Sequence, residues 1–187
     1  VEIHWSCDKS VSKKNVPLKD KLHYSDGIKD YLHSLCSPQD PIFEDPFYFN
    51  TKISDEDGKI EGIINWFDAM EPISESYCNT IKTPMGGTHE SGFKTGVFKA
   101  FKEFSKLKYE KKSSQINQED LFGSSASILS VFLENPEFQG QTKEKLSSIE
   151  PGRKIESKIK ILFEQWLTSK TKSAEELFLY AFNRSQL

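Results

Sequence analysis

Apolar and polar residues alternate at the start of the chain. In VEIHWSC, Val1, Ile3, Trp5 and Cys7 fall on one side and Glu2, His4 and Ser6 on the other. That period of two predicts an edge or half-buried strand. The lysine-rich polar stretch 8–22 reads as a loop. In SDGIKDYLHSLC, Ile28, Tyr31, Leu32 and Leu35 recur at helical spacing, with Ser25 or Asp26 placed to cap the first turn. SPQDP ends that helix.

Residues 42–52 and 60–67 are rich in aromatic and β-branched side chains, with Asp57-Gly58 between them. This pattern predicts a β-hairpin. SESYCNTI reads as a third strand of the same sheet. Gly86-Gly87 then supplies a sharp turn, and Thr88 is placed to cap the next element. From there Phe93, Val97, Phe101, Phe104 and Leu107 mark a long helix with one buried stripe. A short helical turn is expected over 119–124. SILSVFL, 127–133, is a nearly unbroken apolar run, as expected of a central strand covered on both faces. Two helices follow. One carries Ile155, Ile159, Leu162, Trp166 and Leu167; the other opens with Ser173-x-x-Glu176, a capping-box pattern.

Strands and helices do not alternate strictly. The order predicts an α+β fold, a mixed sheet with helices packed on one face, rather than a doubly wound nucleotide fold. A single domain is expected over 1–187, with a core over 1–146 and a C-terminal helical extension over 150–187. The chain starts at Val1 inside a strand, without Met, and is expected to be a piece of a longer protein.

Composition narrows the chemistry. The formal net charge of −3 gives no global attraction to nucleic acid, so basic function has to come from a local patch. Cys7, Cys36 and Cys78 are odd in number and far apart. That favours reduced thiols and a cytoplasmic setting. No apolar stretch approaches membrane-spanning length.

Local candidates are few. GGTHE holds a His-Glu pair, but a zinc-protease motif needs a second His where Phe93 stands, so His89 reads as part of a helix start. Asp55, Glu56 and Asp57 offer carboxylates to magnesium, yet they lie in a predicted turn where Asp is favoured anyway. No metal site is expected. Lysines crowd the long helix, and Lys99, Lys102 and Lys106 share one face as DNA-contact candidates. No nucleophile with its base, no Walker loop and no dinucleotide fingerprint is present.

Three stretches in order carry a resemblance: HYSDGIKDYL (23–32), YCNTIKTPMGGTHESGFK (77–94) and ILSVFLENPEFQGQTKEKL (128–146). Together they resemble the transducer domain of the ATPase subunit of bacterial type IIA topoisomerases. LSVFL followed by PEFQGQTK is similar to the form in the ATPase subunit of topoisomerase IV, with that of gyrase second. The chain departs from the family in EDLFGSSAS, which lacks an Arg-Glu pair, and in SDG, which replaces a Gly-Gly. The resemblance implies a fold like domain 2 of ribosomal protein S5. It implies that Lys143 contacts the γ-phosphate of ATP held in a preceding ATPase domain, with Gln141 as companion. ATP and Mg2+ would serve the parent enzyme, with none bound by this piece, which is expected to be monomeric and inactive alone. The implied partners are the ATPase and TOPRIM domains of the same chain, the DNA-cleaving subunit of topoisomerase IV in a heterotetramer, and DNA. The fold also occurs in RNA-associated proteins, so a nucleic-acid-binding module using the basic helix is the competing expectation.

Overall fold

In a computed structural model, residues 2–10, 17–55 and 58–187 are described. The opening alternation forms strand β1, Glu2–Ser6, which pairs antiparallel with β2, Lys19–His23. The second strand falls inside the expected loop. Its side chains are all exposed, so it carries no apolar period, and cross-strand pairs specify it instead. Leu22 lies opposite Ile3, and Lys21 pairs with Glu2 at 2.9 Å.

Helix α1, Ile28–Cys36, is capped differently from expectation. Gly27 is the N-cap, at φ 58°, and no side chain caps the helix from outside. Asp30, inside the first turn, instead accepts from the Asp26 backbone N–H at 2.9 Å and the Ser25 hydroxyl at 3.4 Å.

The main sheet has five strands in the order β3-β4-β7-β5-β6. Strand β3 is Phe47–Ser54 and β4 is Gly58–Trp66. The strand expected from residue 42 begins only at Phe47, because Pro41 and Pro46 bracket a segment that folds inward. Phe43 there is buried against Trp66 and Trp166. The hairpin forms as predicted, although Glu56 and Asp57 of its turn lie outside the described residues. Strand β5, Ile73–Cys78, ends earlier than expected. Asn79 and Thr80, both at positive φ, turn the chain into the short β6, Ile81–Lys82. Helix α2, Thr88–Ser113, is the predicted long helix, interrupted at Tyr109. Helix α3, Gln118–Phe122, is closed by a capping box between Asn117 and Asp120.

Strand β7, Ser125–Phe132, lies at the centre, antiparallel to β4 and parallel to β5. The sheet is therefore mixed, and the fold is α+β. Its odd and even positions face different layers. Leu129 and Val131 join the larger core, and Ala126 and Ile128 join a smaller one under α1. Helices thus cover both faces rather than one. A short two-stranded hairpin follows, β8 (Phe138–Gln139) and β9 (Lys145–Leu146).

Helices α4, Ile149–Ser169, and α5, Thr171–Arg184, close the larger core. Phe163 stacks on Trp166 at 5.3 Å and meets Phe47 edge-on at 4.8 Å. The larger core holds Leu146 together with Ile155, Ile159 and Phe163 of α4. Ser173 is buried inside α5, whose N-cap is Lys170, so the expected capping box does not open that helix.

Candidate functional site

The GGTHE turn and the QTK loop are brought side by side. Gly86 and Gly87 take φ 65° and 141°, a region that L side chains rarely adopt. A Cβ on Gly87 would also fall 2.3 Å from the Leu146 carbonyl oxygen, so the residue has to be glycine on two counts. The Met85 N–H donates to the Glu144 carbonyl at 3.0 Å, and the Leu146 N–H to the Gly86 carbonyl at 3.1 Å. Residues 85–87 therefore run along β9 as a third strand of its hairpin, with a parallel bridge between Gly87 and Leu146.

Lys143 rides near the tip of this hairpin. Residues 133–142, including β8, separate it from the end of β7. Its φ of 56° is left-handed, an uncommon state for a residue with a side chain. Such conformations cost about 1 kcal/mol or more and persist where the surroundings impose them. Lys143 and Gln141 are both exposed. The Lys143 ammonium lies 5.9 Å from the centre of the Phe138 ring, and among the described residues it has no carboxylate partner. The lysine is thus a cation on a fixed stem with its charge directed outward.

His89 and Glu90, by contrast, are scaffolding. His89 is fully buried, and its Nε2 meets the Thr83 hydroxyl at 3.1 Å. The Thr83 hydroxyl in turn meets Ser76 Oγ at 2.7 Å. Glu90 accepts from Ser74 at 2.8 Å and from Lys94 at 2.7 Å. Burial opposes charge on Glu90, but Lys94 and the hydroxyls of Ser74 and Ser76 outweigh it and hold the carboxyl below its usual range. This network bolts the start of α2 to β5. Among the described residues no group of three His, Cys, Asp or Glu side chains converges to hold a metal.

Burial pushes the His89 imidazole down to about 4, with the charge of Glu90 as a weaker opposing influence. The unfolded value is roughly 6.5. Between these values the unfolded chain binds the extra proton, so stability rises with pH through that window and levels off above it. Lowering the pH from 7 to 4 is expected to remove about 3 kcal/mol through this group. Urea midpoints of the wild type and His89→Gln across that range check this: the variant should show a shallower decline.

The three DNA-contact candidates do not form an open row. Lys99 is tied to Glu156 of α4 at 2.5 Å. Lys102 turns inward to donate to the carbonyls of Ser113 and Ile116 beyond the Tyr109 break, and burial lowers its pKa against the pull of Asp120. Only Lys106 of the three is exposed without such a partner among the described residues. Glu175 of α5 faces Lys108, and Glu103 of α2 is matched by Lys160 of α4. Glu156 and Glu175 thus offset two of the lysines, while Lys160 takes up one of the two acids that α2 itself offers. Lys102→Met is expected to cost about 2 kcal/mol by leaving two carbonyls without their charged donor, measurable as a lower urea midpoint.

The hairpin carrying Lys143 is thus set against a glycine turn at the head of a long helix. The chain belongs to the DNA gyrase B family, which matches it over residues 27–186. Within that family it is similar to the B subunit of DNA topoisomerase 4 from Caulobacter vibrioides, 36% identical over 190 residues, covering 100% of this chain and 27% of that protein. The same subunit from Rickettsia bellii is 37% identical over 179 residues, covering 95% and 27%. The ATP-binding domain of Francisella tularensis topoisomerase IV, solved with a small-molecule inhibitor, superposes with a TM-score of 0.74 at 28% identity, over 90% of this chain and 45% of that one. The 43K ATPase domain of Thermus thermophilus gyrase B, solved with an aminocoumarin, shares the fold with a TM-score of 0.76 at 22% identity, covering 90% and 45%. The resemblance read from the three motifs is therefore correct. Its leaning toward topoisomerase IV agrees with the names these relatives carry. The chain spans about a quarter of the length of those topoisomerase 4 relatives.

Proposed function

We propose that this chain is the transducer of a topoisomerase IV-type subunit, in which Lys143 senses the γ-phosphate of ATP held by an adjoining ATPase domain. The exposed Lys143, without a carboxylate partner among the described residues and carried on a doubly anchored hairpin, supports this reading. An ammonium fits a phosphate oxygen as a mobile point charge, and Gln141 beside it has both a donor and an acceptor for phosphate or water. On this reading Mg2+ serves the nucleotide in the adjoining ATPase domain, as the family resemblance implies.

When bound, ATP supplies the terminal phosphate whose developing charge calls for a cation. Lys143 provides that cation. While the γ-phosphate is in place, Lys143 ties the two domains together; once it has left, the tie is gone and this domain is released to move. In the parent enzyme that movement is coupled to strand passage, decatenation and relaxation of DNA. Its partners in the cytoplasm are the TOPRIM domain of the same chain and the DNA-cleaving subunit of topoisomerase IV. A basic DNA-contact face on α2 is the weaker reading, since Lys99 is paired with Glu156 at the surface and Lys102 is turned inward. The test is Lys143→Ala in the full-length parent, with hydrolysis and ADP affinity measured side by side.

A further inference from the structure

We propose that Thr88, acting through Ser148, is a positioning residue for Lys143. This rests on the Lys143 reading above and asks what aims that lysine. A two-rung ladder with a five-residue loop is too small to hold its own orientation. Something else has to set the angle of the hairpin.

Its two feet meet at one buried residue. Ser148 Oγ accepts from the Glu137 N–H at 2.8 Å, just before β8. The neighbouring Ser147 N–H donates to the Glu137 carbonyl at 2.8 Å, closing the base of the hairpin. The Ser148 carbonyl then accepts from the Thr88 hydroxyl at 2.7 Å. Thr88 is the first residue of α2, a place where threonine is expected to serve the helix end itself. Here it makes no cap bond, and its hydroxyl reaches out of the helix to the hairpin base. The backbone ladder of 85–87 along β9 fixes the hairpin laterally. The Thr88–Ser148 bond adds a second anchor at the base, joining α2, the hairpin and the start of α4. With both in place, Lys143 has one direction relative to the axis of α2.

The experiment uses the full-length parent. Thr88→Val keeps the shape and removes the hydroxyl. Its kcat for ATP hydrolysis is expected to fall about tenfold, the scale of a small misplacement of a reacting group. ADP affinity should stay unchanged, since ADP lacks the phosphate that Lys143 meets. Thr88→Ser, which keeps the hydroxyl, should restore kcat. The Thr88→Val, Lys143→Ala double variant should be no slower than Lys143→Ala alone. If Thr88→Val folds poorly, Ser148→Ala loosens the same base from the other side and should show the same non-additivity. Full kcat in Thr88→Val, or additive losses in the double variant, overturns the positioning role while leaving the Lys143 reading standing. Normal turnover in Lys143→Ala removes the Lys143 reading itself, and this inference with it.

Discussion

Lys143→Ala in the full-length parent is expected to lower kcat for ATP hydrolysis by about 10²- to 10³-fold, the loss typical of removing one preorganised charge-stabilising group. ADP affinity and the melting temperature should hardly change. The side chain is exposed and has no carboxylate partner among the described residues, so its removal leaves no buried group unsatisfied. Alanine and lysine also suffer alike at φ 56°, so the backbone gains no relief from the change. Lys143→Arg is expected to be only partly active, because a planar fork does not replace a point charge on a flexible stem. Steady-state hydrolysis by the three enzymes decides the matter. Turnover in the alanine variant within a few-fold of wild type would refute the sensing role.

The largest expected loss of stability lies elsewhere. Phe163→Ala should destabilise the 187-residue chain by about 3–5 kcal/mol. The Phe163 ring projects from α4 and is fully buried, touching Phe47 and Trp66 of the sheet and Trp166 of its own helix. Truncation leaves a hole walled by rigid rings, which collapse poorly into it. Thermal unfolding should fall by roughly 10 °C. A loss below about 1 kcal/mol would mean that α4 is not seated as described. The two variants form a contrast: one should abolish coupling in a stable protein, and the other should weaken the protein without touching the hairpin.

Much of this was legible in the residues. The α2 stripe, the buried run of β7 and the glycine turn all carry local signals, because period and backbone freedom are properties of neighbouring residues. The family motifs single out Lys143 and Gln141, whose role stands as the proposal made above. What escaped was long-range. Phe163 sits one position beyond the expected Leu162, and only the ring cluster across the sheet distinguishes them. Strand β2 has no apolar period because neither of its faces is covered among the described residues. The Thr88–Ser148 bond spans sixty positions of sequence, and threonine at a helix start reads as a cap whichever way its hydroxyl points. The lysine-rich face of α2 misled for the same reason, since its neutralising acids come from α4 and α5.

The contact between α2 and α4 has a mechanical consequence. A Cβ on Gly92 would lie 2.4 Å from the Gly152 carbonyl oxygen, and one on Gly96 would lie 2.6 Å from that of Glu156. At these two points main chain rests directly on main chain, beside the Ile159 side chain. Any slip short of a whole helical turn, about 5.4 Å, would drive a carbonyl into a side chain flanking those glycines. Close seating of this kind favours movement of the two helices as one piece. On the proposed reading of Lys143, a push at the hairpin would travel down both helices together, as a load does along two rails bolted into one beam.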